Sequence, residues 1–496
     1  MIKYRRLMAK LTIKFAQGIL LTIAFMCSTL SLQAQDVSKL QKAVMEVKEE
    51  RGMKHASLSV AVYDMKKKSS LFSYEASRSL MPASLVKLFT TAAGFDRLGG
   101  DFRFRTCLVV TGEVSADGVL RGDVVIVGGG DPLLGSYRYR QTHPDTLYAA
   151  WCTALRKAGV NEVQGRVCYD ASVFDKQPLC DNWVWGDIGN YYASGVSGLN
   201  FHENMYFVYF TPGTKVGYPA TVASTSPTGL SILHQNEVMT GPENSGDGVI
   251  VYGDPHSSVR TYRGTVPLGR NRFAIRAGLP NPGLVCAERF ATYLIEHGVK
   301  VSKSSAERIL KKGEGRVLSE YYSIPYYMIA QYANLTSNNM YAECILKYLG
   351  HQAKSVGSYE AGVSAVENFM KGSGLDMGGV RLVDGSGLSR CDAATADFVC
   401  RFLCSLRAKP YYTDFVATLG RAGESGTVAS LLKKLPQGIE VRMKSGSMSG
   451  VCAFAGVVTN KSGDERCFAV ICNNFDGAPS QIKTRLEKIL YSIAQL

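Results

Sequence analysis

The sequence predicts an α+β fold: one antiparallel sheet flanked by helices, assembled from both ends of the chain and interrupted by a large β-rich insertion. Three observations predict it. Strand patterns open the chain at His55–Tyr63 and Ser70–Tyr74, and close it at Gly438–Lys444, Gly450–Val458 and Arg466–Asn473. Helical periodicity dominates between Leu284 and Thr418. In between, residues 101–282 carry few helical patterns and many short alternating strands around glycine-rich turns. Strands at both termini with helices between them imply a single sheet, so the β-rich block is an insertion into that domain.

The 496 residues are too many for one small domain, and 46% hydrophobic with 20% charged residues is an ordinary globular composition. Residues 1–34 stand apart. Lys3, Arg5, Arg6, Lys10 and Lys14 precede an apolar run from Gly18 to Leu32, and Leu32-Gln33-Ala34 offers a small-residue cleavage site. This is the shape of a secretory signal peptide, and the run is short for a membrane span. Removing those five basic residues takes the net charge from +14 to +9. No aromatic-interleaved basic motif accompanies the remaining excess, which argues against nucleic acid. A basic exported protein fits an anionic envelope polymer, or peripheral association with a membrane face. Of thirteen cysteines, twelve follow the leader. No Cys-x-x-Cys occurs, and Cys400/Cys404 and Cys467/Cys472 have no histidine partners nearby, so most cysteines read as core residues and no metal site is expected.

Along the mature chain, Val37–Arg51 is helical. Ser57, Ser59 and Ala61 alternate with Leu58, Val60 and Val62 as in a half-buried strand, and a turn on Asp64 and Lys66-Lys67-Lys68 leads to the next. Met81 to Ala93 opens a buried helix with Pro82 in its first turn. In the insertion, strands at Phe102–Val114, Val119–Val127 and Gly165–Tyr169 surround one helix at Asp145–Ala158, and Asn190–Ala277 is strand-like. Helices follow at Leu284–His297, Ile324–Tyr348, Tyr359–Met370, Ala393–Leu406 and Tyr411–Thr418, with Ser480–Ala494 closing the chain. The expected division is 35–100 with 283–496 as one domain, and 101–282 as an insertion of two subdomains.

Ser84 and Lys87 stand three apart on the first of these helices, one turn from each other on one face. A serine hydroxyl needs a base, and a lysine serves as one when an apolar surrounding lowers its pKa. The helix N-terminus adds backbone N–H groups where an oxyanion would form. The spacing also occurs at Ser430/Lys433 and Ser480/Lys483, where a solvated helix face is the ordinary explanation; only Ser84/Lys87 opens an apolar helix after a strand pair. Two further stretches supply polar partners. Ser337 and Asn339 suit a helix break that points both into a cleft, and Lys444 and Gly446 share one face of a strand, where a glycine admits a substrate backbone.

The order Ser84-x-x-Lys87, Ser337-x-Asn339, Lys444-Ser445-Gly446 resembles the three motifs of penicillin-binding proteins and serine β-lactamases. Gly128-Gly129-Gly130-Asp131-Pro132-Leu133, Asp384-Gly385-Ser386-Gly387-Leu388-Ser389-Arg390 and Ser425-Gly426-Thr427-Val428 resemble class C low-molecular-mass penicillin-binding proteins, which are D-alanyl-D-alanine carboxypeptidases and endopeptidases. The resemblance spans essentially the whole mature chain, and the 253 residues separating Ser84 from Ser337 fit a group that inserts domains there. It implies a β-lactamase-like transpeptidase domain, a peptidoglycan stem-peptide substrate, covalent inhibition by β-lactam antibiotics, a periplasmic location and no cofactor. It implies Ser84 as nucleophile, Lys87 as base, Ser337 as proton relay, Lys444 as the cleft's positive charge and Asn339 as a substrate-amide contact. Backbone N–H groups of Ser84 and Ser447 would form the oxyanion hole and Ser445 would bind the terminal carboxylate. Asp170 matches a position that recognises the amine of a diamino-acid stem residue, while also reading as a turn residue, and Arg390 and Ser449 match positions at the same end of the cleft. Two departures are a serine at 445 where threonine is usual and Asn338 where aspartate is common. A β-lactamase and a non-catalytic envelope protein are the competing expectations.

Overall fold

The computed structural model describes residues 35–496; the expected leader at 1–34 lies outside the described residues. The main sheet runs in the order Gly420–Arg421, Glu440–Met448, Val451–Thr459, Glu465–Asn473, Ser57–Asp64, Ser69–Tyr74. Every neighbouring pair is antiparallel. The first strand of the chain lies beside the last, from Ser57 against Asn473 to Asp64 against Arg466. That one pairing joins the two ends of the sequence into a single sheet, as the α+β expectation requires.

Because side chains alternate along a strand, each sheet face has its own partner. Leu58, Val60, Val62, Phe454 and Val470 face the helix over residues 35–49 and the closing helix Pro479–Ala494, through Leu40, Val44, Ile482, Leu486 and Ile489. Ala61, Ala453, Ala455 and Ala469 face the opposite way, onto Leu88, Phe89, Phe398 and Phe402 of helices Val86–Leu98 and Ala396–Leu406. The half-buried strand expected at 57–62 is therefore buried on both sides, and Ser59 is fully covered with its hydroxyl donating to the Glu75 carbonyl at 3.0 Å. Small side chains on this face let the helices approach; they do not mark a solvent face.

The insertion begins and ends at a neck. Phe104 N donates to Ser323 Oγ at 2.9 Å, and Ser323 N donates back to the Phe104 carbonyl at 2.9 Å. Beyond it lies a sheet ordered Lys300–Glu307, Glu162–Asp170, Val124–Val127, Arg105–Val110, Arg316–Tyr322. Helices Pro144–Lys157 and Pro282–Glu296 pack on this sheet through Leu147, Trp151, Leu155, Phe290 and Leu294. The expected return to the first domain at 283 is corrected accordingly: the helix at 282 and the two strands after it complete the insertion's own sheet, and the chain re-enters at Ser323. Residues 205–278 form two three-stranded sheets around a separate core of Tyr206, Val208, Phe210, Val251 and Tyr262.

The stretch between those two cores turns back onto the first domain. Phe174, Cys180, Trp183, Ala193 and Val196 are buried in the same core as the Val86–Leu98 helix. Cys404 and Cys467 bring their sulfurs to 3.5 Å beneath the Ala396–Leu406 helix. Among the described residues, no helix is long and apolar enough to cross a membrane.

Candidate active site

Ser84 sits where three elements converge. Asn473, at the end of its strand, takes the Met81 N–H on Oδ1 at 2.8 Å and donates to the Met81 carbonyl at 3.0 Å, which fastens this segment to the sheet. Ala83 is left-handed, with φ 46°, a backbone conformation that stores roughly 1–3 kcal/mol in a non-glycine residue. A single 3₁₀ turn, Ala83–Leu85, then leads into the α-helix Val86–Leu98. The expected one-turn offset thus spans a 3₁₀ turn and the start of the α-helix, and Lys87 Nζ lies 3.0 Å from Ser84 Oγ.

The remaining bonds of Lys87 come from sequence-remote groups. Its Nζ donates to Asn339 Oδ1 at 2.6 Å and to the Ser386 carbonyl at 2.7 Å. The lysine is fully buried, and desolvation lowers its pKa, opposed in order by Glu343, Asp384 and Asp392. The Asp384–Ser389 loop forms the floor. Asp384 gathers the N–H groups of Ser386, Gly387 and Ser389 at 2.6–3.1 Å, and the Trp183 indole N–H at 2.8 Å. Gly387, at φ 75°, lies so close to the Ser84 turn that a Cβ there would stand 1.9 Å from the Ala83 carbonyl oxygen.

The expected break between Ser337 and Asn339 is present: helix Tyr326–Leu335 ends, Ser337 takes φ 56°, and helix Asn339–Lys354 begins. Asn338 caps the new helix by accepting from Tyr341 N at 3.2 Å, so the departure from aspartate retains a cap of equal quality. Asn339 has both ends of its amide engaged, Oδ1 by Lys87 and Nδ2 by the Tyr192 carbonyl at 2.8 Å. It bridges the lysine to the insertion.

The roof is strand Glu440–Met448. Val441 and Met443 point toward the closing helix, so Lys444 and Gly446 point toward Ser84. Lys444 Nζ donates to Ser337 Oγ at 2.9 Å and to the Ser445 carbonyl at 2.7 Å. A Cβ on Gly446 would stand 3.1 Å from Ser84 N and 2.6 Å from the Pro82 carbonyl, so only glycine lets this strand lie against the Ser84 turn. Ser445 Oγ meets Thr427 Oγ1 at 2.7 Å, and Ser447 is exposed on the same strand. Lys444 is fully buried, and desolvation followed by repulsion from Lys87 holds its pKa well below the ordinary value.

Ser84, Lys87, Ser337, Asn339, Lys444, Ser445 and Gly446 are thus linked by hydrogen bonds or close packing. Asp170 is not among them. Its two carboxylate oxygens accept from Ser172 N at 2.9 Å and Leu310 N at 2.8 Å, and it is 3% exposed. Its place is that of the turn residue, holding the end of its strand to the 308–310 segment. Arg390 is exposed and acts on Asp187, which accepts from the Tyr192 hydroxyl at 3.1 Å. Ser449 is exposed in the turn after the roof strand. Sequence reasoning missed Glu343, Tyr192, Trp183 and the roles of Ser386 and Thr427. Of these, Ser386 and Thr427 lay inside quoted motifs, and Glu343 stood four residues from Asn339 on the same helix.

A hydroxyl one hydrogen bond from a buried amine, on a turn leading into a helix laid over an antiparallel sheet, is the arrangement that a serine-type hydrolase uses. The fold is that of penicillin binding protein 4 (dacB) from Haemophilus influenzae, matched with a TM-score of 0.77 at 20% identity over 91% of this chain and 98% of that one. In sequence, the chain matches the D-Ala-D-Ala carboxypeptidase 3 (S13) family over residues 40–492. It belongs to that family, and is a serine-type D-alanyl-D-alanine carboxypeptidase. The D-alanyl-D-alanine carboxypeptidase of Actinomadura sp. (strain R39) is 28% identical over 454 residues, covering 89% of this chain and 82% of the relative. The D-alanyl-D-alanine carboxypeptidase DacB of H. influenzae is 24% identical over 422 residues, covering 83% and 84%.

Proposed function

We propose that the enzyme works through a Ser84 acyl-enzyme on peptidoglycan stem peptides outside the cytoplasmic membrane, trimming terminal D-alanine and also cutting peptide crosslinks. The observation that carries this reading is the 3.0 Å contact between the buried Lys87 amine and Ser84 Oγ. Neutral Lys87 takes the hydroxyl proton as Oγ attacks the carbonyl between two D-alanines. Oxygen charge in the tetrahedral intermediate falls to the N–H groups of Ser84 and Ser447, a contribution of typically ~3–4 kcal/mol per donor. Ser337, held by Lys444, passes a proton to the departing amine, and D-alanine leaves. Water then attacks the ester and restores Ser84. Ser445 and Thr427 receive the terminal carboxylate beside Lys444, while Arg390 and Ser449 are assigned by resemblance alone to one end of the cleft.

Penicillins acylate Ser84 on this reading, because a β-lactam carbonyl presents the same electrophile. The H. influenzae protein of like fold has been solved in complex with a β-lactam. The leader-like residues 1–34 support export to the periplasm. Incubation with a fluorescent penicillin tests the nucleophile: the wild type retains a covalent label, and Ser84→Ala retains none and releases no D-alanine while keeping its folded circular-dichroism spectrum. Labelling of Ser84→Ala at the normal rate removes Ser84 from the role, and rapid loss of label from the wild type assigns a β-lactamase instead. Mass spectrometry of digested cell wall separates trimming from crosslink cutting.

A further inference from the structure

We propose that Glu343 is a positioning residue for the base: it fixes the carbonyl on which Lys87 rests and supplies a charge that sets how readily Lys87 holds its proton. The proposal rests on the reading of Lys87 as base. Glu343 lies four residues after Asn339 on one helix, so both face the lysine from the same side, one turn apart. Asn339 holds Nζ directly. Glu343 acts through the floor loop. Its Oε2 accepts from Gly385 N at 2.8 Å, and the carbonyl of Gly385 accepts from Thr90 Oγ1 at 2.7 Å. The next carbonyl, that of Ser386, receives Lys87 Nζ. A Cβ on Gly385 would stand 2.8 Å from the Ala342 carbonyl and 2.8 Å from Leu346 Cβ, so the loop lies directly on the Glu343 helix.

Holding Gly385 explains one oxygen only. Glu343 is wholly buried and its Oε1 has no hydrogen-bond partner. A buried carboxyl oxygen left unmet is destabilising, whereas an amide would hold the loop as well. What an amide lacks is the titratable charge. The groups facing Glu343 are Asp384, the Ser386 hydroxyl, Lys87, Asp392 and Tyr359, with Lys347 one turn on, itself paired to Asp175 at 2.6 Å. Those facing Lys87 are Glu343, Asp384, Asp392 and, from the roof, Lys444. Burial pushes Glu343 up and Lys87 down, and each favours the charged form of the other. A proton kept on Glu343 leaves Lys87 as the free amine; an ionised Glu343 draws a proton onto it. The acid is therefore the adjustable part of the base.

The test is the second-order rate of penicillin acylation of the full mature protein between pH 5 and 10, alongside D-alanine release. Glu343→Gln retains an acceptor for Gly385 N and removes the charge that raises Lys87. Its acidic limb is expected to move to lower pH by about one unit, a tenfold change in proton affinity. Glu343→Ala loses the hold on Gly385 as well, and its plateau rate is expected at least tenfold below that of Glu343→Gln. An acidic limb in Glu343→Gln at the wild-type pH overturns the charge role. Equal plateaus for the two variants overturn the positioning role. If the alanine variant fails to fold, Asp392→Asn takes its place, and a limb unmoved in both it and Glu343→Gln overturns the proposal. Loss of label in Ser84→Ala with an unmoved limb in Glu343→Gln sinks this inference alone; persistent label in Ser84→Ala sinks the reading beneath it.

Discussion

The floor and the roof of the cleft each hold a buried lysine, and the two are treated in opposite ways. Lys87 has three acceptors within 3.0 Å and three acids beneath it, so burial and charge act against each other on its amine. Lys444 has two neutral acceptors, and the one charge named on it, Lys87, repels its proton. The residue type is the same; the surrounding charge differs. A group flanked by acids can gain and lose a proton at small change in environment. A group without them calls for an anion, and on the proposed reading the terminal carboxylate of the peptide brings one.

The largest expected effect separates the two lysines directly. If Lys87 is the base, as proposed, Lys87→Met lowers penicillin acylation by about 10³-fold or more, since the base acts in every turnover. Its Tm stays below that of Lys444→Met: the lowered pKa of Lys87 also opposes folding at pH 7, but Glu343, Asp384 and Asp392, which raise it, lose their cation. Lys444→Met lowers kcat/KM by about 10²-fold yet leaves Tm at or above the wild type. The sign follows from linkage. An amine whose folded pKa is depressed releases its proton on folding, which opposes folding at every pH below the unfolded value near 10.4. At pH 7 the wild type carries that opposition and Lys444→Met does not; the gap narrows as pH is raised toward 10. Calorimetry of both variants at pH 7 and 9.5 checks this, and a fall in Tm of similar size in both erases the distinction.

A smaller effect tests whether the floor is a rigid unit. In Asp384→Asn, the amide nitrogen faces N–H groups of Ser389 and Trp183 or of Ser386 and Gly387 whichever way it turns. Two charge-assisted bonds are lost, roughly 3 kcal/mol or more by the usual 1.5–3 each. Urea unfolding followed by tryptophan fluorescence should show that loss, with penicillin acylation reduced about tenfold because the Ser386 carbonyl shifts. Unchanged stability would mean the loop is held by its packing on the helix instead.

The side chains that meet in the cleft were far more legible in the sequence than its floor loop, and for a physical reason. Ser84, Lys87, Ser337, Lys444 and Gly446 act through their side chains, or through the lack of one, at spacings that a helix turn or a strand repeat converts into direction. The floor acts through carbonyl oxygens of Ser386 and Tyr192, and every residue has a carbonyl. Glu343 had a readable offset from Asn339, but an acid on an apolar helix face looks like an ordinary surface position until its burial is known. The fold shows the same division. The sheet of the first domain is apolar on both faces and announced itself, although Ser59 and Ala61 looked like a solvent face. Lys300–Glu307 and Arg316–Tyr322 went unseen because both are edge strands with largely exposed side chains, and the domain boundary was misplaced with them.

The smallest effect asks what the roof hydroxyls do. Thr427 Oγ1 and Ser445 Oγ share one hydrogen bond of 2.7 Å, so removing Thr427's hydroxyl leaves Ser445 in place but free to turn. If the pair receives the carboxylate, it binds ground state and transition state alike, since that end of the substrate does not change during acyl transfer. Uniform binding appears in KM. Thr427→Val is therefore expected to raise KM for a D-alanyl-D-alanine peptide about fivefold, the worth of one hydrogen bond near 1 kcal/mol, with kcat within twofold. A fall in kcat at constant KM would instead place this hydroxyl in the proton path with Ser337 and Lys444, and the roof would then take part in the chemical step as the floor does.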